Sequence, residues 1–204
     1  MFRIISLMVG YIFGNFLTAD VLTWRLFHMK ADDIGSGNPG MANITSQLGL
    51  GYGLLVLAGD VAKTIAACLI CRYLLYPDMG EAAALYGGFG VCLGHDFPVW
   101  NRFKGGKGVA VTCTFIVLVL PVWGLISDMA GLAAVFLTGS LAVGAVVIPG
   151  LFTLAAFTKL GVEAGLVMLA ASIMMVSRHF EGLKEMKSGE GKRVHWSRKR
   201  PEEH

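Results

Sequence analysis

Long apolar runs dominate the chain, and polar residues return only at a few seams. The runs at residues 2–24, 50–76, 82–100, 109–126 and 162–177 each approach the length of a membrane-crossing helix, about 20 residues. A further run, 130–158, is too long for one crossing. Pro149-Gly150 divides it, because proline removes a helical N–H and glycine weakens a helix, so two short helices are expected there. The pattern predicts an all-α membrane protein, a polytopic bundle of about seven transmembrane helices. The seams are a polar, glycine-containing stretch at 25–48, an acidic turn at 77–81, a basic glycine-rich loop after residue 100, a tight turn at 127–129, and a charged tail.

Composition agrees with this reading. Of 204 residues, 55% are hydrophobic and 15% charged, and the mean hydropathy is +0.64. A soluble domain is about a quarter charged. No length remains for a separate soluble domain, so residues 1–183 are expected to form one membrane unit and 184–204 a basic tail. The net charge of +3 lies mostly in loops and tail, where it reports topology and anionic lipid and implies no nucleic acid. The first run lacks a basic leader and a cleavage site and is expected to stay as a span. Cys68, Cys71, Cys92 and Cys113 all fall in apolar stretches, without the polar surroundings or further ligands of a metal or redox site. Asn15 and Asp20 interrupt the first span and are expected to face other helices. Asp60 and Lys63, three apart, share a helix face and can neutralise each other; with Glu163 they are the charged residues expected well inside spans.

Loop charges orient the bundle. Arg25 and Lys30 lie in the first seam, Arg102, Lys104 and Lys107 in the third, and Lys184, Lys187, Lys192, Arg193, Arg198, Lys199 and Arg200 in the tail. The positive-inside rule places all three in the cytoplasm, with the N-terminus outside and the C-terminus inside. This parity needs an odd number of spans.

Candidate chemistry collects on that same side. Around residues 94–110, Arg102, Lys104 and Lys107 crowd together with Gly105, Gly106 and Gly108 just before an apolar run. Glycine lets backbone N–H groups approach a ligand closely, and a helix starting near Val109 would favour an anion at its N-terminus. Phosphate is the natural ligand. The stretch is not a nucleotide-binding P-loop, since Gly108 follows Lys107 where Ser or Thr would hold Mg²⁺. A plain cytoplasmic basic turn is the alternative. A second polar segment runs from Gly35 to Asn43, and a third is Arg178-His179-Phe180-Glu181. Gly35 to Gly40 matches G-x-G-x-x-G literally, but a membrane span precedes it and Pro39 interrupts it, against a dinucleotide fold. His28 and Asp33 have a His-x-x-x-x-Asp spacing like that of acyl-CoA-dependent glycerolipid acyltransferases, without the rest of that pattern.

Ser36-Gly37-Asn38-Pro39-Gly40 with Asn43, Gly94-His95-x-Phe97-Pro98-Val99 followed by Phe103-Lys104-Gly105-Gly106-Lys107-Gly108-Val109-Ala110, and Arg178-His179-x-Glu181 resemble, in this order, the motifs of the bacterial acyl-phosphate:glycerol-3-phosphate acyltransferases of the PlsY family. The resemblance spans nearly the whole chain. It implies a bacterial inner-membrane enzyme, independent of metal and cofactor, with its site on the cytoplasmic face. Its partners would be acyl phosphate, glycerol 3-phosphate and membrane lipid; nothing specifies an oligomeric state. Two positions depart from the family: Ser46 stands where an Arg is usual and Gly182 where an Asn is usual.

On this resemblance Ser36, His179 and Lys107 are the candidate catalytic residues. Asn38, Gly40, Asn43, Lys104, Gly105, Gly106, Gly108 and Glu181 are the candidate substrate and phosphate ligands. The base is open between His179 and the phosphate of the donor, with a covalent acyl-Ser36 as a rival. His95 supports the loop or touches substrate; Glu181 orients His179 or pairs with a lysine. A transporter of a phosphorylated small molecule and a catalytically impaired paralogue are the readings from other classes.

Overall fold

The computed structural model describes residues 1–188, which are mostly helical and contain no strand. The helices are α1 (Phe2–Asn15), α2 (Thr18–Phe27), α3 (Met41–Leu48), α4 (Leu50–Leu69), α5 (Gly80–Asp96), α6 (Val109–Val119), α7 (Pro121–Thr138), α8 (Leu141–Lys159) and α9 (Val162–Ser188). Among the described residues, five segments are long and apolar enough to cross a membrane: Phe2–Phe27, Leu50–Leu75, Pro121–Thr138, Leu141–Lys159 and Val162–Ser188. The α5 helix, of 17 residues, and α6, of 11, are shorter.

Helix α1 runs parallel to α5 in the closest packing of the bundle. A Cβ on Gly10 would strike the Gly87 carbonyl, one on Gly90 that of Leu7, and one on Gly94 that of Tyr11. Small residues let two backbones approach where lipid supplies no hydrophobic drive. The core is centred on Phe115, Phe152 and Met168, from α6, α8 and α9, all fully buried. Cys68, Cys71 and Cys92 are buried thiols, and Cys68 and Cys71 donate to the carbonyls of Ala84 and Ser6.

Several sequence expectations are corrected. The turn expected at 127–129 is absent: α7 runs through Ser127, whose hydroxyl bonds back to the Trp123 carbonyl at 2.8 Å. The chain breaks earlier, at Leu120-Pro121, where proline takes the first helical position and its missing N–H costs nothing. Pro149 does not divide its run either. It lies inside α8, and the break falls at Gly139, in the left-handed region at φ 70°. Proline within a buried helix forfeits one hydrogen bond, which close packing tolerates. The first span is two helices, broken at Phe16-Leu17, and the 25–48 seam contains α3. Helix α5 stops at Asp96, short of residue 100. The third motif lies inside α9, not beyond it, and α9 carries Lys184 and Lys187; the tail cations from Lys192 onward fall outside the described residues. Glu163 is not mid-span: it sits in the first turn of α9, paired with Arg3 at 2.6 Å and Tyr86 at 2.9 Å.

Candidate active site

The glycine loop folds back over the end of α5. Asn15 anchors its start, accepting from the Val99 N–H at 2.9 Å, while the Trp100 indole donates to the Asn15 carbonyl at 2.7 Å. So Asn15 does serve a neighbouring element, and Asp20 does likewise by accepting from the Ala31 N–H at 2.9 Å. The Gly106 N–H then donates to the His95 carbonyl at 2.9 Å. A Cβ on Gly106 would overlap the His95 imidazole at Nε2, and one on Gly108 would lie 3.0 Å from Asp96 Oδ1. The loop therefore rests on two successive polar side chains, His95 and Asp96.

Arg178 of α9 clamps the loop from the other side. Its Nη2 donates to the carbonyls of Gly105 at 2.8 Å and Gly106 at 2.7 Å, and its Nε to Gly106 at 3.1 Å. Its guanidinium also lies over the Phe97 ring, 5.3 Å from the centroid. With these carbonyls occupied, the N–H groups of Gly105, Lys107, Gly108 and Val109 have no acceptor among the described residues. They lead directly into the N-terminus of α6, capped by Gly108 at φ 67°. Free amides at a helix N-terminus, with Lys107 among them, have the chemistry to hold an anion. Lys104 is exposed at its rim.

His179 is buried beside Arg178, and its Nδ1 lies 3.0 Å from the Met175 carbonyl. A carbonyl only accepts, so Nδ1 carries the proton and Nε2 is left as an acceptor. Lys107 and Arg178 are within electrostatic reach of the ring. Glu181 is exposed and bonds neither His179 nor a loop lysine among the described residues.

The first motif is a self-tied loop. Asn43 is buried; its Oδ1 accepts from the Ser36 N–H at 2.9 Å, and its Nδ2 donates to the carbonyls of Ile34 at 2.8 Å and Asn38 at 3.0 Å. The amide thus shapes the loop before it can meet a ligand. Gly40 caps α3. The Ser36 hydroxyl is exposed and free of hydrogen bonds among the described residues. Asn101 Nδ2 donates to Asp32 Oδ2 at 3.0 Å, which ties the turn just before this loop to the start of the glycine loop. Among the described residues, motifs two and three are thus joined directly by Arg178, and motif one only through the neighbouring turn. The Ser46 hydroxyl bonds the Asn43 carbonyl at 2.8 Å. Gly182 packs on α8: a Cβ there would lie 3.1 Å from that of Ala142.

The chain matches the family model described as glycerol-3-phosphate acyltransferase over residues 4–189. It is 38% identical over 190 residues to glycerol-3-phosphate acyltransferase 1 of Lactobacillus johnsonii, covering 93% of this chain and 91% of that one. The enzyme of the same name from Lactobacillus acidophilus is 36% identical, with 95% and 93% covered. This chain belongs to the glycerol-3-phosphate acyltransferase family. Its fold matches the crystal structure of PlsY (YgiH), an integral membrane glycerol 3-phosphate acyltransferase, in the glycerol 3-phosphate form, with a TM-score of 0.82, 25% identity, and 95% of this chain and 96% of that one covered. The lysophosphatidic acid form of PlsY matches with a TM-score of 0.80 over 94% of each chain.

Sequence reasoning passed over two contributors. Arg178 was visible in its motif, but its role depends on reaching carbonyls 72 and 73 residues away. Asp96 was visible as a polar residue ending a span; that both its buried carboxylate oxygens lack a protein partner is a tertiary fact.

Proposed function

We propose that this enzyme moves a fatty acyl group from acyl phosphate to the sn-1 hydroxyl of glycerol 3-phosphate, giving lysophosphatidic acid and phosphate. The observation that carries this reading is the glycine loop, whose carbonyls are held by Arg178 while its amides and Lys107 stay free for an anion. Both substrates bear phosphate. Lys104, Lys107 and the amides of Gly105, Gly106 and Gly108 are assigned to one; of these, the Gly106 N–H is already bonded to His95 and contributes through the position it gives its neighbours. Ser36 and Asn38, on a loop shaped by Asn43 and Gly40, and His179 of α9 are assigned to the other phosphate or to the attacking hydroxyl, with Glu181 at the margin.

In the transfer, the hydroxyl oxygen bonds the acyl carbon and the bond from that carbon to the phosphate oxygen breaks. Phosphate leaves with the electron pair, so positioning and oxyanion stabilisation are the main demands. The free Nε2 of His179 suits it to take the hydroxyl proton. The Ser36 hydroxyl has no base within hydrogen-bond distance among the described residues, which favours direct transfer over an acyl-serine.

For topology, we assign seven passes, with α5 and α6 completing the five longer segments, an outside N-terminus and a cytoplasmic C-terminus in the bacterial inner membrane. Cations on the site end, Lys30, Arg102, Lys104 and Lys107, support this assignment. At the other end Arg3 and Arg72 are neutralised by Glu163 and Glu81.

The test is lysophosphatidic acid formation by purified protein in lipid, with acyl phosphate or acyl-CoA as donor. Product from acyl phosphate alone, lost in Lys107→Ala, is expected. Product from acyl-CoA alone would overturn the donor. Glycerol 3-phosphate binding without turnover would favour an impaired paralogue, the reading that Ser46 and Gly182 support.

A further inference from the structure

Beneath the glycine loop lies a charged group that the transfer chemistry does not use. Lys63, on α4, is 7% exposed. Its ammonium has three hydrogens and three acceptors: Asp60 Oδ1 at 2.8 Å, the Phe16 carbonyl at 2.8 Å and His95 Nδ1 at 3.0 Å. These come from three places in the fold. Asp60 is one turn back on α4, Phe16 is where the first span breaks and frees a carbonyl, and His95 is at the end of α5. Thr18, just past the same break, also donates to Asp60 at 3.2 Å.

An ammonium only donates, so His95 Nδ1 must accept, and the ring proton sits on Nε2. That nitrogen is the atom facing Gly106, filling the space where a side chain would stand. Lys63 therefore fixes both the tautomer and the orientation of the ring on which the loop rests. Gly106 is held from below by the His95 ring and carbonyl, and from above by Arg178.

With every hydrogen engaged, Lys63 has no donor left for substrate. It is no step on a transport path either, since its partners saturate one another. Nor is it a good stabiliser: burying two charges costs several hydrogen bonds to water, and apolar replacements of buried pairs are often as stable or more so. Ionisable groups at this depth in a membrane protein usually serve function.

We propose that Lys63 and Asp60 are positioning residues for acyl transfer, acting through His95 to hold Gly106 and so aim the free amides of Lys107 and Gly108 at the phosphate. This rests on the glycine loop being the phosphate site.

The test is a double-mutant cycle on steady-state kinetics, with thermal stability measured in parallel. The variants are Lys63→Met, Gly106→Ala and the two combined. Asp60→Asn with Lys63→Met is included, because it removes both charges and leaves none buried alone. Each of Lys63→Met and Gly106→Ala is expected to lower kcat/KM by about tenfold or more. The combination should be no worse than the poorer single variant, since both act at one contact. The charge-free pair should keep the thermal midpoint yet stay impaired. Unchanged kcat/KM in the charge-free pair, effects that multiply, or activity that falls only in step with stability would each overturn the proposal. If the wild-type protein shows no turnover, the function reading fails separately. The same variants are then compared for binding of glycerol 3-phosphate and of acyl phosphate, where equal affinity for both would overturn the positioning role.

Discussion

Two ion pairs at opposite ends of the bundle invite comparison. Arg3 and Glu163 meet at 2.6 Å, with both side chains about half exposed. Lys63 and Asp60 meet at 2.8 Å, with exposures of 5% and 4%. By distance the outer pair is the better contact. By consequence it is the lesser one, since water competes for both partners and replaces what a substitution removes. The inner pair has no such replacement, and it ties α4, the break after α1, and the end of α5 to one loop. Burial and connectivity, not contact length, decide what an ion pair does here.

Substitutions at the two ends would break or sharpen this contrast. The largest effect is expected for Gly106→Ala, whose methyl group collides with the His95 ring; a misplaced loop should cost about a hundredfold in kcat/KM, measured as lysophosphatidic acid formed. Activity near wild type would show that the loop does not depend on that seat. Next is Arg178→Lys. It keeps the charge but loses the fork on the carbonyls of Gly105 and Gly106, and about a tenfold loss is expected. A variant as active as wild type would mean that charge alone suffices. Ser46→Arg should act in the other direction. Ser46 is exposed, so an arginine fits there, and one charge-assisted bond to phosphate should lower KM for glycerol 3-phosphate by up to about tenfold; an unchanged KM would place this position outside the site. The smallest effect is expected at the far end, where Arg3→Gln should leave turnover and the thermal midpoint unchanged. A substantial loss of activity in that variant would dissolve the comparison, because it would couple the outer pair to a loop some 15 helical residues away, about 22 Å along α9.

Much of the candidate site was legible because its chemistry is local. Gly105, Gly106, Lys107 and Gly108 are adjacent, and their meaning follows from missing Cβ atoms beside a helix start. Asp60 and Lys63 were legible as a pair because three residues is one helical turn. The errors share a cause as well. Pro149 looked like a break and Ser127-Asp128-Met129 like a turn, since local propensity says so. Packing overrode both: α8 is buried enough to absorb a proline, while a less conspicuous Gly139 with a positive φ ends α7. That the Asn43 amide closes its own loop is visible only once Ile34 and Asn38 are known to curl around it.

The sequence by itself determined that this is a helical membrane protein with its polar chemistry gathered at one end, because hydropathy over about 20 residues is a property of composition and needs no partner. It also determined the family, since three motifs in order are a linear signal. The tertiary structure alone decided what holds those motifs in place. Lys63 meets His95 across 32 residues, and Arg178 meets Gly106 across 72. No spacing rule encodes such contacts, because they exist only after α1, α4, α5 and α9 have packed.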